Sequence, residues 1–402
     1  MNARWRAPVT FVIAGAAVFA FAACADDGRA PDPAIDDEGG VIPPNDGGPA
    51  IDADSDAGAE AGPPRTCSDH GWCSTTLPPD HSLRGVWSDG AGVIWAVSEE
   101  GAVLRLSAGA GAWTVHATLS GPLHAIWGSG PLDVWVGGDE GLYRGRGATS
   151  AALAFQPNAT PGDATIGITS IWGTGPNDVW AVGGKMQDEE TAVSRVLRFT
   201  GATTDAGATW TLDPVGTSPY AFTKVWGTTA SGVWIGGSNT NPFGHSAAVY
   251  RRPAGAPAFA KLTSFAFDPR DGVDSGVLGE FTTGGASGND VWIAGKSLGF
   301  SPGLWRGTST DGATFAWSHV ARHLDDHRLE AIWGTSSTDA WAAGDYGRLR
   351  RWNGSTWTQA ALMTGKFPIT APLHAIWGSS ATDLWVVGDG IALHFDPTKA
   401  KK

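Results

Sequence analysis

LHAIWGSGPLDVWVGGD at 123–139, IWGTGPNDVWAVGG at 171–184 and LHAIWGSSATDLWVVGD at 373–389 are versions of one phrase. Its anchor is a pair of tryptophans eight residues apart. The pair recurs as Trp87/Trp95, Trp127/Trp135, Trp172/Trp180, Trp226/Trp234, Trp333/Trp341 and Trp377/Trp385, and a seventh copy keeps the frame with Gly284 in the first slot and Trp292 in the second. The second tryptophans follow one another at intervals of 40, 45, 54, 58, 49 and 44 residues. A period of about 48 lies between the WD and kelch propeller blades and is far too long for leucine-rich or hexapeptide solenoids. Each copy also divides into four short strands. In the sixth these are LEAIWG from Leu329, DAWAAG from Asp339, RLRRW from Arg348 and TWTQAA from Thr356, with turn residues between them. The second strand alternates poorly, as expected where neighbouring blades cover both faces of a sheet. The expected fold is all-β: a seven-bladed β-propeller of four-stranded antiparallel blades.

The ends of the chain predict how the ring closes. The seventh copy stops after its third strand, IALHF from Ile391. A fourth-strand pattern stands instead at the other end, in Gly71 and Trp72. Trp72 precedes Trp87 by 15 residues, against 14 from Trp113 to Trp127 and 16 from Trp317 to Trp333. An N-terminal strand that completes the last blade leaves no free sheet edge between first and last blades. The propeller is therefore expected over 67–402.

Composition agrees with an all-β chain, with 57 glycines for turns and 21 tryptophans between them. The net charge of −13 is concentrated before the ring, where residues 25–66 hold 11 acids against 2 bases. The remaining body is mildly acidic and has no basic footprint for nucleic acid. Residues 25–66 are rich in Asp, Pro, Gly and Ala and cannot bury enough to offset chain entropy, so they read as a disordered tether reaching about 36 Å. Asp52, Asp54 and Asp56 match a calcium loop poorly, because Gly58 falls one position late and Pro63 stands where a bidentate glutamate is needed. Ahead of the tether, Arg4 and Arg6 precede an apolar run over 9–23, long enough for a signal-peptide core and short for a membrane span. Phe21, Ala22, Ala23 and Cys24 resemble a lipoprotein cleavage box, which makes 1–24 the signal peptide and Cys24 the lipidated residue; cutting after Ala25 is the competing reading. Both mean export, and the first means a membrane-anchored protein of the cell envelope. With Cys24 lipidated, Cys67 and Cys73 remain as a pair expected to form a disulfide in an oxidising compartment. A zinc site with His70 lacks a fourth ligand.

Over residues 71–396 the chain resembles the Asp-box (BNR-like) and kelch-like bacterial propeller proteins. The sharpest match is Thr203, Asp205, Gly207, Thr209 and Trp210, and a shortened version occurs at Ser309, Asp311, Gly312, Thr314 and Phe315. The resemblance implies a folding element, a turn whose carboxylate satisfies backbone donors, and not an activity.

Several residue sets invite chemistry. Asp133, Asp178, Asp290, Asp339 and Asp383 all precede a second tryptophan by two and suit capping of the preceding turn. His319, His323 and His327 are spaced like ligands on a helix but fall in a connector. His124 and His374 lie three before a first tryptophan, where other copies have Arg84, Thr169, Thr223, Phe281 and Glu330, a polar collar where the inner strand enters the ring. The enzyme that the resemblance suggests is a carbohydrate-active hydrolase or lyase of the sialidase kind. A sialidase needs an arginine cluster, a tyrosine nucleophile with a glutamate, and an acid. Of the four tyrosines, Tyr143 sits in a strand and Tyr346 in a tight turn, and no nucleophile elbow or zinc-helix motif is present. No metal and no cofactor are expected.

The expected function is binding or scaffolding outside the cytoplasm by a monomer, with a protein or polysaccharide partner. Turn lengths locate the face. The first-to-second turn is constant, whereas the second-to-third turn grows to 185–194, 238–246 and 296–302 in the third to fifth copies, and connectors 263–279 and 319–328 swell on the same side. Variable loops on a fixed scaffold carry recognition. The candidate contacts are Gln187, Asp188, Glu189, Asn239, Asn241, Phe243, His245, Lys296 and Phe300.

Overall fold

The computed structural model describes residues 66–401, apart from 91, 202–208, 242–243, 264–277, 298–301, 321–327 and 365–366. The repeated phrase forms the inner two strands of each blade, and the two tryptophans of a copy sit opposite one another across that pair. Trp87 faces Trp95, Trp127 faces Trp135, and Trp333 faces Trp341. Seven four-stranded antiparallel sheets result. Blade one runs Leu83–Ser88, Ile94–Ser98, Ala102–Leu106 and Thr114–Thr118 from the channel outward, and blade four runs Ala221–Thr228, Gly232–Asn241, Gly244–Arg252 and Ala260–Lys261. The last blade holds Leu373–Ser380, Asp383–Gly388 and Ile391–Phe395, and its fourth strand is Trp72–Ser74 from the other end of the chain. Trp72 pairs with Phe395, and Ser74 with Leu393. Among the described residues there is no α-helix.

Blade-to-blade packing explains why tryptophan recurs. The second tryptophan of each copy is almost wholly buried. Each receives, edge-on, an aromatic ring from at or beside the fourth strand of the next blade. Trp95 takes Phe155, Trp135 takes Trp210, Trp180 takes Phe259, Trp234 takes Phe315, Trp292 takes Trp357, Trp341 takes Trp72, and Trp385 takes Trp113, with centroids 5.1–5.7 Å apart. Edge-to-face geometry suits the ring quadrupoles. The first tryptophan meets the glycine of the next blade: a Cβ at Gly128 would stand 2.4 Å from the Trp87 ring, which explains the Trp-Gly dipeptide at this close approach.

The closing strand is tied at both ends. Cys67 and Cys73 form a disulfide. The Asp396 amide donates to the Gly71 carbonyl, and the Lys401 ammonium pairs with Asp69 at 2.8 Å.

Three sequence expectations change. The fifth copy is one residue shorter than the others, because Trp292 faces Gly285, not Gly284. The constant eight-residue spacing therefore fails there: the strand lacks the bulge that Gly128–Gly130 and Gly334–Ser336 show, and turns through a tight Ser287–Asp290 connection. Burial sets the frame. Phe281 takes the apolar slot that Leu83, Leu123, Phe222, Leu329 and Leu373 fill elsewhere, and Thr282 moves into the collar in place of Phe281. Second, the repeated aspartates, expected to cap the backbone of the preceding turn, take side-chain partners. Asp133, Asp178, Asp290 and Asp339 pair with Arg144, Arg198, Arg306 and Arg351 on the third strand, and those guanidiniums stack on Trp135, Trp180, Trp292 and Trp341. Asp383 uses His394 in the same way, at 2.9 Å, and His394 stacks on Trp385. Their other oxygen contacts include hydroxyls such as Thr174 and Thr335 at 2.9 Å. Third, the long turns of the third and fourth copies are extended hairpins. Met186 pairs with Ala192, and Asn241 with Gly244.

The shortened Asp-box turn is described. Asp311 Oδ1 accepts from the Ala313 and Thr314 amides at 2.8 and 3.0 Å, and these bonds hold its carboxyl down to about 2. Thr203, Asp205 and Gly207 lie outside the described residues.

Candidate functional site

Seven inner strands around an axis leave a channel, and their N-terminal ends form its mouth on the face that carries the second-to-third turns. The bulges make the mouth polar. In blades one, two, four, six and seven one residue is displaced from the ladder, at Arg84, His124, Thr223, Glu330 and His374, and Thr282 is displaced in blade five. Bulges re-aim a side chain. These six, with Thr169, line a cavity of about 360 Å³. It continues into a channel of about 340 Å³ walled by the inner strands. Such volumes fall at the low end for small-ligand sites.

Charges at the mouth are mostly matched. The Arg84 guanidinium donates to Glu99 at 3.0 Å, and it lies 2.6 Å from His374 Nε2, which is 3.0 Å from Asp389. Burial raises the Asp389 carboxyl, but hydrogen bonds from Ser82 and His374 outweigh it and hold the group below the usual carboxylate range. His124 pairs with Asp139 at 2.8 Å, Arg328 with Glu330 at 2.8 Å, and Lys296 with Glu280 at 2.7 Å. His124 and His374 are thus held by carboxylates in a collar and do not approach each other as a pair.

Lys224 is the exception. It occupies the slot two before the first tryptophan, where the other blades have Gly85, Ala125, Ser170, Thr283, Ala331 and Ala375. It lines both the mouth cavity and the channel beneath. Burial pushes its amine below the usual lysine range, against a smaller upward pull from Glu330. Sequence reasoning from the neighbouring collar column misses this residue, although a single lysine among small residues is a visible signal.

Of the nine residues selected from turn length, the seven described ones fall on the mouth face but play unequal parts. Asp188 Oδ1 accepts from the Glu190 and Thr191 amides at 2.9 and 2.7 Å, which lowers its carboxyl and fixes the hairpin tip. Asn239 donates to the Pro219 carbonyl at 3.1 Å. Lys296 is spent on Glu280. Gln187 and Glu189 are exposed at the tip. Asn241 and His245 lie on the paired strands of the blade-four hairpin; Phe243 and Phe300 lie outside the described residues. None of the seven that are described lines the mouth cavity, whose hairpin contributors among the described residues are Met186, Ser238 and Thr240.

His319 lies on the outer strand of blade five, its ring against Trp305, and His323 and His327 are outside the described residues. Among the described residues no group of three His, Cys, Asp or Glu is placed to hold a metal. No helix among them is long and apolar enough to cross a membrane.

No family model matches the chain, and no curated protein matches it. Solved structures do. YCF48 bound to D1 peptide is similar with a TM-score of 0.57 at 14% identity, covering 83% of this chain and 99% of that one. YCF48 from Cyanidioschyzon merolae gives 0.58 at 15% identity, covering 82% and 99%. RRP9 WD40 repeats give 0.55 at 8% identity, covering 83% and 98%. At these identities the likeness is one of fold, that of a β-propeller.

Proposed function

We propose that this protein is an exported, lipid-anchored binding propeller of the Asp-box type that recognises a protein segment on its mouth face. The observation that carries the reading is the coincidence, on one face, of the extended hairpins of blades three and four with the polar cavity at the channel mouth. A rigid ring holds both, and variable elements on a rigid scaffold are where recognition sits. The Cys67–Cys73 disulfide fits an oxidising compartment, and the solved relative with a bound peptide supports a protein partner over a polysaccharide. The Asp311 turn supports the Asp-box reading. Cys24 carries the lipid in this account, and Cys24→Ala is expected to release the protein from membranes.

The test is to capture partners from intact envelope with the full chain, then to trim 187–191 and 241–244 to two-residue Asp-Gly turns. Lost affinity in a still-folded ring supports the reading. Retained affinity removes the hairpin tips from the site, and capture of polysaccharide alone replaces the protein partner.

A further inference from the structure

Two polar groups at one level of the ring have no hydrogen-bond partner among the described residues. The Lys224 ammonium makes no hydrogen bond or ion pair among the described residues, while the other charges of the cavity, on Arg84, Glu280, Arg328 and Glu330, are matched. In the adjoining inner strand of blade five, the Thr283 hydroxyl is buried and unsatisfied. Both residues line the mouth cavity. A part-buried ammonium with no ion pair, only weakly offset by Glu330, and a buried hydroxyl with no hydrogen bond each cost the folded state free energy. An anion in this cavity that reached both would satisfy both.

We propose that Lys224 and Thr283 bind a carboxylate of a partner protein chain, inserted into the mouth as a C-terminal carboxylate or an Asp or Glu side chain. The inference rests on the reading of this face as the binding surface. A monoanion is favoured because among the described residues one cation of the cavity has no ion pair, and Glu280 and Glu330 border the same cavity, so a phosphate dianion meets repulsion. A sugar acid is disfavoured because the aromatic ring of the cavity, Phe281, is 6% exposed and offers no face for stacking.

Calorimetric titration of the full chain at low ionic strength tests this, with acetyl-Gly-Gly-Glu-amide, acetyl-Gly-Gly-Gly with a free carboxylate, and their Gln-amide and Gly-amide counterparts. The expected result is that at least one acid peptide binds about tenfold or more tighter than its amide, as a charge-assisted hydrogen bond requires, and which acid does so identifies the source. In Lys224→Met the acid and amide are expected to bind alike, and Thr283→Val is expected to weaken the acid while keeping the ring folded. Absence of saturable binding by both acid peptides, equal affinity for acid and amide in the unaltered chain, or a preserved preference in Lys224→Met overturns the proposal. Tighter binding of inorganic phosphate or glucuronate overturns the ligand class. If Lys224→Met still holds a captured partner that hairpin trimming releases, this site is wrong and the face is right.

Discussion

Replacing Trp72 by alanine probes ring closure more sharply than deleting the strand, because it leaves the backbone ladder intact. The indole is fully buried, edge-on to Trp341 at 5.2 Å and beside Phe395 at 5.2 Å. Burying about 200 Å² of such a ring contributes about 5 kcal/mol as an upper bound. Core Trp→Ala changes cost about 3–5 kcal/mol once partial collapse of the cavity is counted. The expected loss is therefore about 4 kcal/mol by equilibrium urea unfolding followed by tryptophan fluorescence. Trp210→Ala is the control, since Trp210 packs on Trp135 in the same way at 5.2 Å but lies within a blade built from continuous sequence. The two variants are expected to agree within about 1 kcal/mol. A loss below about 1 kcal/mol for Trp72→Ala, with Trp210→Ala at full cost, would refute closure by the N-terminal strand.

Three further outcomes follow from the same structure. Cys67→Ser with Cys73→Ser opens a loop with sequence separation 6 and should cost about 2 kcal/mol, read as a lowered urea midpoint with unchanged slope. Arg306→Ala strands the buried Asp290 carboxylate and should cost about 3 kcal/mol, and a double-mutant cycle with Asp290→Ala should return a clear coupling energy. Lys224→Met should raise stability in the absence of ligand. Because the folded amine is held below 10.5, its penalty is complete below the folded value and disappears as pH rises towards 10.5, so the gain over the unaltered chain should shrink along that path. A destabilised Lys224→Met protein would mean the lysine has a structural partner.

The blade count, the strand order and the donated closing strand were legible because each depends on spacing, and spacing survives when side chains vary. The slip at Gly284 shows the limit. A glycine in the first slot carries no packing information, and only the apolar Phe281 could have fixed the frame, since it fills the slot that Leu83 and Leu123 fill elsewhere. The role of Asp133 and its equivalents was half legible: the column of carboxylates is visible, but their arginine partners lie on the third strand at offsets of 11 to 20 residues, which sequence alone does not pair. Turn lengths pointed to the mouth face. They did not point to its cavity, because the bulges that turn Arg84, His124 and His374 toward the axis are properties of strand register.

Hydrogen exchange of the full chain with and without its captured partner tests the mouth-face assignment most directly. Protection is expected at the hairpins ending in Met186 and Asn241 and at the inner-strand entries around Thr223, Thr282 and Glu330. Protection confined to the opposite face, around Thr174, Asp178 and the Pro253 and Pro257 turn, would contradict it.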